Sequence, residues 1–272
     1  MFLQRFFASV IFFHLFSLLI SLTPAYAKKS NEDADDGSKG FRIAKHCQDA
    51  NKGYKGEFAR ADLVLETQGG GSISRQLEVK RREPANDEGG DQSLLLFLLP
   101  TDVKGTKLLT WSHFEDEDDQ WVYLPSYGRV KRISSRLKTG SFMGSEFSYE
   151  DLGGRDVGKF KHKFIKNDVL NGRKAWVLDQ QPKDRYSGYS KQTIWLDFEY
   201  KNPIKVEYYD RKGDLFKVAN FEGYKKHDQW WRPGKVVMRN VQNRKKSTMV
   251  WKDIEFNKRF PSKDFEKEYL KN

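Results

Sequence analysis

Apolar and charged side chains alternate along most of this chain, and this alternation constrains the fold more than any other feature. In EFARADLVLET, residues 57–67, the odd positions carry the apolar side chains of Ala59, Ala61, Leu63 and Leu65. Successive side chains of a β-strand point to opposite faces, so this spacing predicts a half-buried strand. A run of three glycines then supplies a turn, and RQLEVKR, residues 75–81, returns with the same alternation. The two segments together predict a β-hairpin.

The same pattern continues almost to the end of the chain. Strand-like segments such as SLLLFLL, QWVYLP and TMVWKDIEF are separated by turn signals such as Asn171-Gly172. We count about a dozen strands and little helix. Short connections make neighbouring strands antiparallel, so the strands are expected to form one long meander. Because large twisted sheets do not stay open and flat, the meander should curl into a barrel or partial barrel.

The first 27 residues follow a different pattern, with a single cation at Arg5, an apolar run from Phe6 and a small-x-small end at Ala25-Tyr26-Ala27. This pattern predicts a secretory signal peptide that is cleaved after Ala27. An uncleaved anchor is disfavoured because the apolar run barely approaches the roughly 18–20 residues that a membrane span needs. With one cysteine, Cys47, the mature chain cannot form an intramolecular disulfide. Export without disulfides favours a bacterial periplasm over a disulfide-rich extracellular module.

Two segments precede the strands. Residues 28–40, KKSNEDADDGSKG, are polar and predict a flexible leader. The spaced apolar positions Phe41, Ala44 and Cys47 predict one short helix over residues 41–51, in which Cys47 is a small buried apolar residue. We expect residues 41–272 to form a single domain, large enough to need no disulfide staples.

Basic residues outnumber acidic ones by 49 to 38, which gives a formal net charge of +11. Such an excess attracts anionic lipid headgroups, nucleic acid or an acidic partner. Nucleic acid is the least expected partner of an exported protein. The basic side chains are also scattered over many strands, so a solvated strand face explains most of them.

No motif for enzymatic chemistry or metal binding stands out in the sequence. The histidines fall in no HExxH or paired Cys/His spacing, and GSEFS around Ser145 lacks the second glycine of a GxSxG elbow. The acidic run EDEDD, residues 115–119, lacks the glycine and glutamate of an EF-hand and is interpreted as a charged hairpin tip. We therefore expect no catalysis, no metal and no cofactor.

The stretch SFMGSEFSYEDL, residues 141–152, interrupts the strands with glycine, serine, carboxylates and aromatic residues. Its spacing matches a capping box, in which Ser148 accepts the backbone N–H of Asp151 and Asp151 accepts that of Ser148. Phe147 and Leu152 flank the box as a hydrophobic staple, and a glycine pair follows at once. This spacing predicts the start of a very short helix rather than a catalytic loop.

Four segments in order resemble the bacterial outer-membrane lipoprotein-sorting protein family, relatives of the periplasmic carriers LolA and LolB. They are LLLFLLPTDVKGTKLLTW, WVYLPSYGRVKRI, SFMGSEFSYEDL and YDRKGDLFKV. The resemblance implies a mainly β fold, a strongly curved antiparallel half-barrel of about 10–12 strands with a lid of short helices over an apolar cavity. Carriers of this fold hold acyl chains of lipoproteins or lipids and perform no covalent chemistry.

The resemblance further implies a monomeric periplasmic carrier that moves lipoproteins or lipids towards the outer membrane, with peripheral membrane contact and an RND-type transporter as partner. The candidate residues for its apolar cavity and lid are Leu94, Leu96, Leu98, Leu108, Trp121, Tyr123, Phe142, Met143 and Phe147. The last three belong to the 141–152 stretch, which would then form part of the lid. Arg129 and Arg132 are candidates for binding anionic headgroups near the cavity mouth. The alternative is a non-carrier accessory protein that binds such a transporter or another envelope partner.

Overall fold

The computed structural model describes residues 25–67, 69–84 and 89–271. The predicted signal peptide, residues 1–27, lies outside the described residues except at its last three positions. The α-helix is α1 (Ala25–Asp49). The strands are β1 (Gly56–Glu66), β2 (Ser72–Arg82), β3 (Gln92–Leu99), β4 (Lys107–Trp111), β5 (Asp119–Leu124), β6 (Arg129–Ile133), β7 (Phe160–Leu170), β8 (Arg173–Pro182), β9 (Tyr189–Asp197), β10 (Pro203–Asp210), β11 (Leu215–Glu222), β12 (Lys225–His227), β13 (Trp230–Arg232), β14 (Lys235–Asn240) and β15 (Lys246–Glu255). Short 3₁₀ turns occupy Pro125–Tyr127, Glu150–Leu152, Val157–Lys159, Ser262–Phe265 and Lys267–Lys271.

Within the described residues, a 13-stranded sheet has the order β6-β5-β4-β3-β2-β1-β15-β14-β11-β10-β9-β8-β7, and every pairing in it is antiparallel. The first and last strands of the chain meet in the middle of this sheet, where β1 pairs with β15. Strands β12 and β13 pair with each other in a separate ribbon. The consecutive strands β6 and β7 do not pair and form the two edges, so the sheet is open. The expectation of one long meander was therefore wrong, because β1 pairs with β15 instead of forming an edge. The predicted mainly β, antiparallel half-barrel is confirmed.

The hairpin predicted from alternation is also present. Strands β1 and β2 pair along their whole length, from Gly56 opposite Arg82 to Glu66 opposite Ser72. The predicted inward positions of β1 are all buried, namely Ala59, Ala61, Leu63 and Leu65. Period-two alternation therefore assigned this strand's faces correctly.

The sheet curves so that both of its halves contribute to one interior. In the N-terminal half, the register places Val79 opposite Leu95 and Leu95 opposite Leu108, and all three are buried. In the C-terminal half, the buried side chains of Ile194 and Val206 are paired in the same way. These residues belong to one apolar core, which lies on the concave face.

A second apolar cluster lies on the opposite, convex face of the N-terminal strands. Here Leu109 is buried against Phe265 and Leu270 from the C-terminal segment, residues 256–271. The indole N–H of Trp111 donates to the Phe265 carbonyl at 2.7 Å and ties the segment to β4. The partly buried side chains around this cluster are Leu94, Trp111, Trp121, Tyr123, Val130 and Phe260. The strands β3–β5 are apolar on both faces because each face covers a core.

Helix α1 packs against β7 at the C-terminal edge of the sheet. Gly40 permits this close approach, since a Cβ at that position would lie 2.8 Å from the backbone nitrogen of Phe164. The helix begins at Ala25, so residues 28–40 are helical and not a flexible leader, and the predicted helix start at Phe41 was wrong. Residues 28–40 are polar and carry no apolar pattern from which these first turns could be predicted. Most helical stability in proteins comes from tertiary packing, which a single sequence does not show.

The connection from β6 to β7 has to cross the open side of the half-barrel, because these strands are the two edges of the sheet. We call residues 134–156 the crossover. Glu146 anchors it near the turn between β14 and β15, where its N–H donates to Ser247 Oγ at 3.0 Å and its carboxylate accepts from Asn240 Nδ2 at 2.8 Å. Phe142, at the centre of this segment, is fully buried. The crossover thus fills the interior near that end of the sheet.

Candidate functional site

A cavity of about 530 Å³ lies between the concave face of the sheet, helix α1 and the crossover. Its volume falls within the range of roughly 300–1,000 Å³ that is typical of small-molecule sites. The apolar part of its wall comes from both halves of the sheet and consists of Val79, Leu95, Leu108, Ile194, Leu196, Ala219, Val236, Met238, Met249 and Trp251. Most of these side chains are buried and carry no hydrogen-bonding group. This wall is suited to a ligand with an apolar chain.

A polar cluster lines the cavity near the start of β1 and the end of β2. Arg232 Nε and Nη2 each lie 3.1 Å from Glu57 Oε2, and Arg81 Nη1 lies 3.5 Å from the same oxygen. Beside them, the Tyr54 hydroxyl donates to Asp91 Oδ2 at 2.6 Å. Burial raises the pKa of Asp91, although Tyr54 and Arg81 act in the opposite direction. The cavity is therefore apolar along the strands and polar at this strand end.

The crossover contributes a buried ion pair. Lys217 Nζ lies 2.7 Å from Asp151 Oδ2, and each side chain is only 3% exposed. The Tyr189 hydroxyl donates to Asp151 Oδ1 at 2.7 Å. Burial by itself would raise the pKa of Asp151, but the charge of Lys217 and these hydrogen bonds lower it, so the carboxylate is ionised.

The predicted capping box is confirmed by both of its hydrogen bonds. The N–H of Ser148 donates to Asp151 Oδ2 at 2.8 Å, and the N–H of Asp151 donates to Ser148 Oγ at 3.2 Å. The helical element is the single 3₁₀ turn Glu150–Leu152. Ser145, the serine compared above with the GxSxG motif, donates to the Phe142 carbonyl at 2.7 Å and is buried. The spacing of these serines thus serves the local fold of the 141–152 stretch.

Helix α1 forms another wall of the cavity and is joined to the crossover by Gln48. Its Nε2 donates to Asp156 Oδ2 at 2.7 Å, and its Oε1 accepts from the N–H of Val157 at 2.8 Å. Cys47, one position earlier, also lines the cavity. Burial raises the pKa of its thiol to about 12, so Cys47 is a neutral lining group. The prediction of a small buried apolar residue at this position is confirmed.

The acidic run at residues 115–119 lies in the connection between β4 and β5 and at the start of β5, as predicted for a hairpin tip. Asp118 is not simply solvated, because its Oδ2 accepts the N–H of Gly154 at 2.6 Å and its Oδ1 pairs with Lys159. Among the described residues, no group of three or more His, Cys, Asp or Glu side chains is placed to hold a metal ion. The same part of the chain contains no helix that is long and apolar enough to span a membrane.

Two of the predicted cavity residues, Leu108 and Phe147, line the cavity. Phe142 and Met143 pack in the core beside the crossover and are not among the lining residues. Five others face the convex side, because the inward positions of β3 and β5 are their neighbours, such as Leu95. The segment SLLLFLL is apolar at every position after its serine, so alternation carries no information about which of its faces is concave. The five predicted cavity residues that lie on the convex face are Leu94, Leu96, Leu98, Trp121 and Tyr123.

The predicted headgroup residues also lie away from the cavity. Arg129 and Arg132 are exposed on the edge strand β6, and Arg132 pairs with Asp119. The arginines that do line the cavity are Arg81, Arg155 and Arg232. Sequence reasoning missed them because they come from separate segments of the chain, and no local motif marks them.

Known proteins share this architecture over nearly the whole chain. A domain from Vibrio parahaemolyticus, described as belonging to an outer membrane lipoprotein-sorting protein, is 40% identical, with 87% of this chain and 100% of that chain covered and a TM-score of 0.83. A DUF1329 family protein from Desulfovibrio piger is 26% identical, with coverages of 86% and 99% and a TM-score of 0.82. A LolA superfamily protein from Nitrosomonas europaea shares the fold at 18% identity and a TM-score of 0.67, with coverages of 85% and 98%.

A family model described as an uncharacterized protein matches residues 89–272. No curated protein shows significant sequence similarity. The open curved sheet, with a cavity under its concave face, places the molecule in the class of LolA-like folds. At 40% identity over a complete domain, the chain belongs to the outer membrane lipoprotein-sorting protein family.

Proposed function

We propose that this protein is a periplasmic carrier that binds the acyl chains of lipoproteins or lipids in its cavity and moves them towards the outer membrane. The observation that carries the proposal is the apolar wall of the 530 Å³ cavity, which both halves of the sheet build. A lipoprotein-sorting role is also what its family membership favours. The predicted signal peptide supports the periplasmic location.

The apolar wall supplies enough free energy for binding without specific polar contacts. Each CH₂ group transferred from water to an apolar site gains about 0.8 kcal/mol. A chain of several such groups therefore binds tightly once it lies against the strands. Specificity for one chain over another is small on such a wall, because apolar contacts are non-directional.

Cargo exchange requires one wall to open, and helix α1 is the better candidate for this motion. The crossover carries a buried ion pair and two capping hydrogen bonds, so its displacement would leave charges unpaired. Helix α1 instead packs along the edge strand β7, and Gln48 supplies its two bonds to the 156–157 segment. We therefore propose that α1 moves and that the crossover stays in place.

The carrier function is tested by lipid uptake in a pair of matched variants. Leu108→Trp places a large ring in the cavity and should reduce binding of a fluorescent fatty acid about tenfold or more, since filled volume is no longer open to the chain. Leu96→Trp makes the same kind of change on the convex face and should leave binding unaltered. Native mass spectrometry of the wild-type protein from periplasm should show a bound acylated molecule. The proposal would be refuted if the wild-type protein from periplasm carries no bound molecule and takes up no fatty acid.

We also propose that an RND-type inner-membrane transporter exchanges cargo with this carrier, as the family resemblance implies. Photo-crosslinking in cells from positions on α1 should capture such a transporter. If the captured partner also binds Leu108→Trp at wild-type level, the contact does not depend on cargo and an accessory role explains it better.

A further inference from the structure

Arg155 differs from the other arginines of the cavity wall in its charge balance. Arg81 and Arg232 both lie within 3.5 Å of the Glu57 carboxylate. Within the described residues, Arg155 takes part in no ion pair with a carboxylate, although its side chain lines the cavity. Because no carboxylate is paired with it, the Arg155 guanidinium is available to an anionic group in the cavity.

Two uncharged amides hold the Arg155 guanidinium in position. Its Nη2 donates to Gln180 Oε1 and to Gln192 Oε1, each at 3.0 Å. These glutamines face each other across β8 and β9 and are both buried. Because amide oxygens are neutral, they orient the guanidinium and leave its charge uncompensated.

Among the described residues, no neighbouring group forms an ion pair with the guanidinium. The other end of the Gln180 amide, Nε2, lies 3.3 Å from His162 Nδ1. Burial lowers the pKa of His162, and the positive charge of Arg155 lowers it further, so this ring is neutral near pH 7. Burial also raises the pKa of Tyr208, which stays a neutral phenol beside Arg155. The closest carboxylate in sequence, Asp156, accepts hydrogen bonds from Gln48 and Gly158.

The guanidinium can still be reached by a ligand. Arg155 is exposed, whereas the two glutamines beneath it are buried, so a group that enters the cavity meets the guanidinium first. A planar guanidinium binds carboxylate and phosphate oxygens through paired, charge-assisted hydrogen bonds. The apolar wall continues along β9 beyond Gln192, where Ile194 and Leu196 line the cavity. The site thus places one cationic group beside an apolar surface.

We propose that Arg155 binds the anionic group of an amphiphile whose acyl chain lies along the apolar wall. The inference rests on the proposed carrier function and specifies its cargo, an acyl chain that ends in a carboxylate or phosphate oxygen group. Gln180 and Gln192 position the guanidinium for this contact. Arg155 is thus the residue that binds the anionic headgroup, in place of Arg129 and Arg132, for which the sequence predicts this contact.

The experiment compares ligands of one chain length whose head groups are anionic or neutral. Delipidated full mature protein is titrated with a fluorescent fatty acid, with the methyl ester of the same fatty acid, and with a phosphate monoester of the same chain length. Wild-type protein should bind the anionic ligands at least about tenfold more tightly than the ester, a difference of about 1.4 kcal/mol. Inorganic phosphate at millimolar concentration distinguishes a lipid headgroup from a free anion, and we expect it to compete weakly.

Arg155→Gln should abolish the preference for anionic ligands and leave ester binding unchanged. Arg155→Lys keeps the charge but not the paired geometry, so it should retain part of the preference even if the glutamine variant folds poorly. The matched control is Arg129→Gln, an exposed arginine that does not line the cavity, and it should behave as wild type.

Each outcome of this experiment decides a different point. Equal binding of acid and ester by the wild-type protein would overturn the role of Arg155 while leaving the carrier function intact. Loss of the preference in Arg129→Gln but not in Arg155→Gln would place the headgroup site elsewhere and refute the proposal. Failure to bind any of the three ligands would instead refute the carrier function itself.

Discussion

The buried pair of Lys217 and Asp151 makes a quantitative prediction about the crossover. Lys217→Met removes the cation and leaves the Asp151 carboxylate 3% exposed in the interior. Its remaining donors are the Tyr189 hydroxyl at 2.7 Å and the N–H of Ser148 at 2.8 Å. Neither donor carries charge, so they do not replace the ammonium group. Breaking a buried ion pair in this way costs about 3–5 kcal/mol of unfolding free energy.

Urea denaturation measures this cost, and an exposed pair supplies the control. Lys258 lies 2.7 Å from Glu255, but their side chains are 43% and 51% exposed. Lys258→Met should therefore change the unfolding free energy by only about 0–1 kcal/mol. The double variant Lys217→Met/Asp151→Asn has no buried charge at this site and should be more stable than Lys217→Met alone.

The pH dependence of this cost has a definite sign. In the wild-type protein the pKa of Asp151 is lowered, so its contribution to stability is present above the unfolded-state pKa of about 3.9 and is lost as the pH falls through the folded value. In Lys217→Met the buried carboxylate has no cation, so its pKa should rise above the unfolded value. Protonation then relieves the penalty, and the cost of the substitution should shrink as the pH falls from neutral to about 5. A cost equal to that of Lys258→Met, or one that grows in mild acid, would refute this account of the crossover.

Two further predictions concern the convex face and helix α1. Phe265→Ala should lower the unfolding free energy by about 3–5 kcal/mol, because the side chain is 1% exposed, and should leave fatty acid binding intact, because that cluster does not line the cavity. Urea denaturation and the uptake assay together check this, and a loss of uptake in a folded variant would contradict it. Gly40→Ala should destabilise the packing of α1 on β7 by about 1–3 kcal/mol, since the new Cβ would lie 2.8 Å from the backbone nitrogen of Phe164. Gly37→Ala, whose Cβ would lie 3.4 Å from the His162 carbonyl oxygen, is the control and should be tolerated in the same thermal melts.

The positions of the strands were predictable because each β-strand carries its own signal. In β1, apolar positions alternate with charged ones, and the buried set Ala59, Ala61, Leu63 and Leu65 follows directly. The capping box at Ser148 and Asp151 was equally predictable, since its partners are three residues apart. Strand alternation and the capping box were both predictable because each depends only on residues that are close together along the chain.

The first turns of α1 were not predictable in the same way. Residues 28–40 are polar and carry no apolar stripe that would indicate a helix. The helix packs on β7, about 120 residues further along the chain, and Gly40 allows that contact. Only the folded chain brings the two elements together.

The sequence by itself determined a mainly β fold of antiparallel strands, the turns between many of them and the capped turn at residues 150–152. The tertiary structure decided which face of each strand became the cavity. In β3 both faces are apolar, so Leu94 and Leu95 are equivalent by pattern, and only the curvature of the sheet and the C-terminal segment on its convex side separate them. The tertiary structure also placed Arg155 beside Gln180 and Gln192 and, among the described residues, in no ion pair with a carboxylate. Charge balance at a site depends on contacts between distant segments, and a single sequence does not contain those distances.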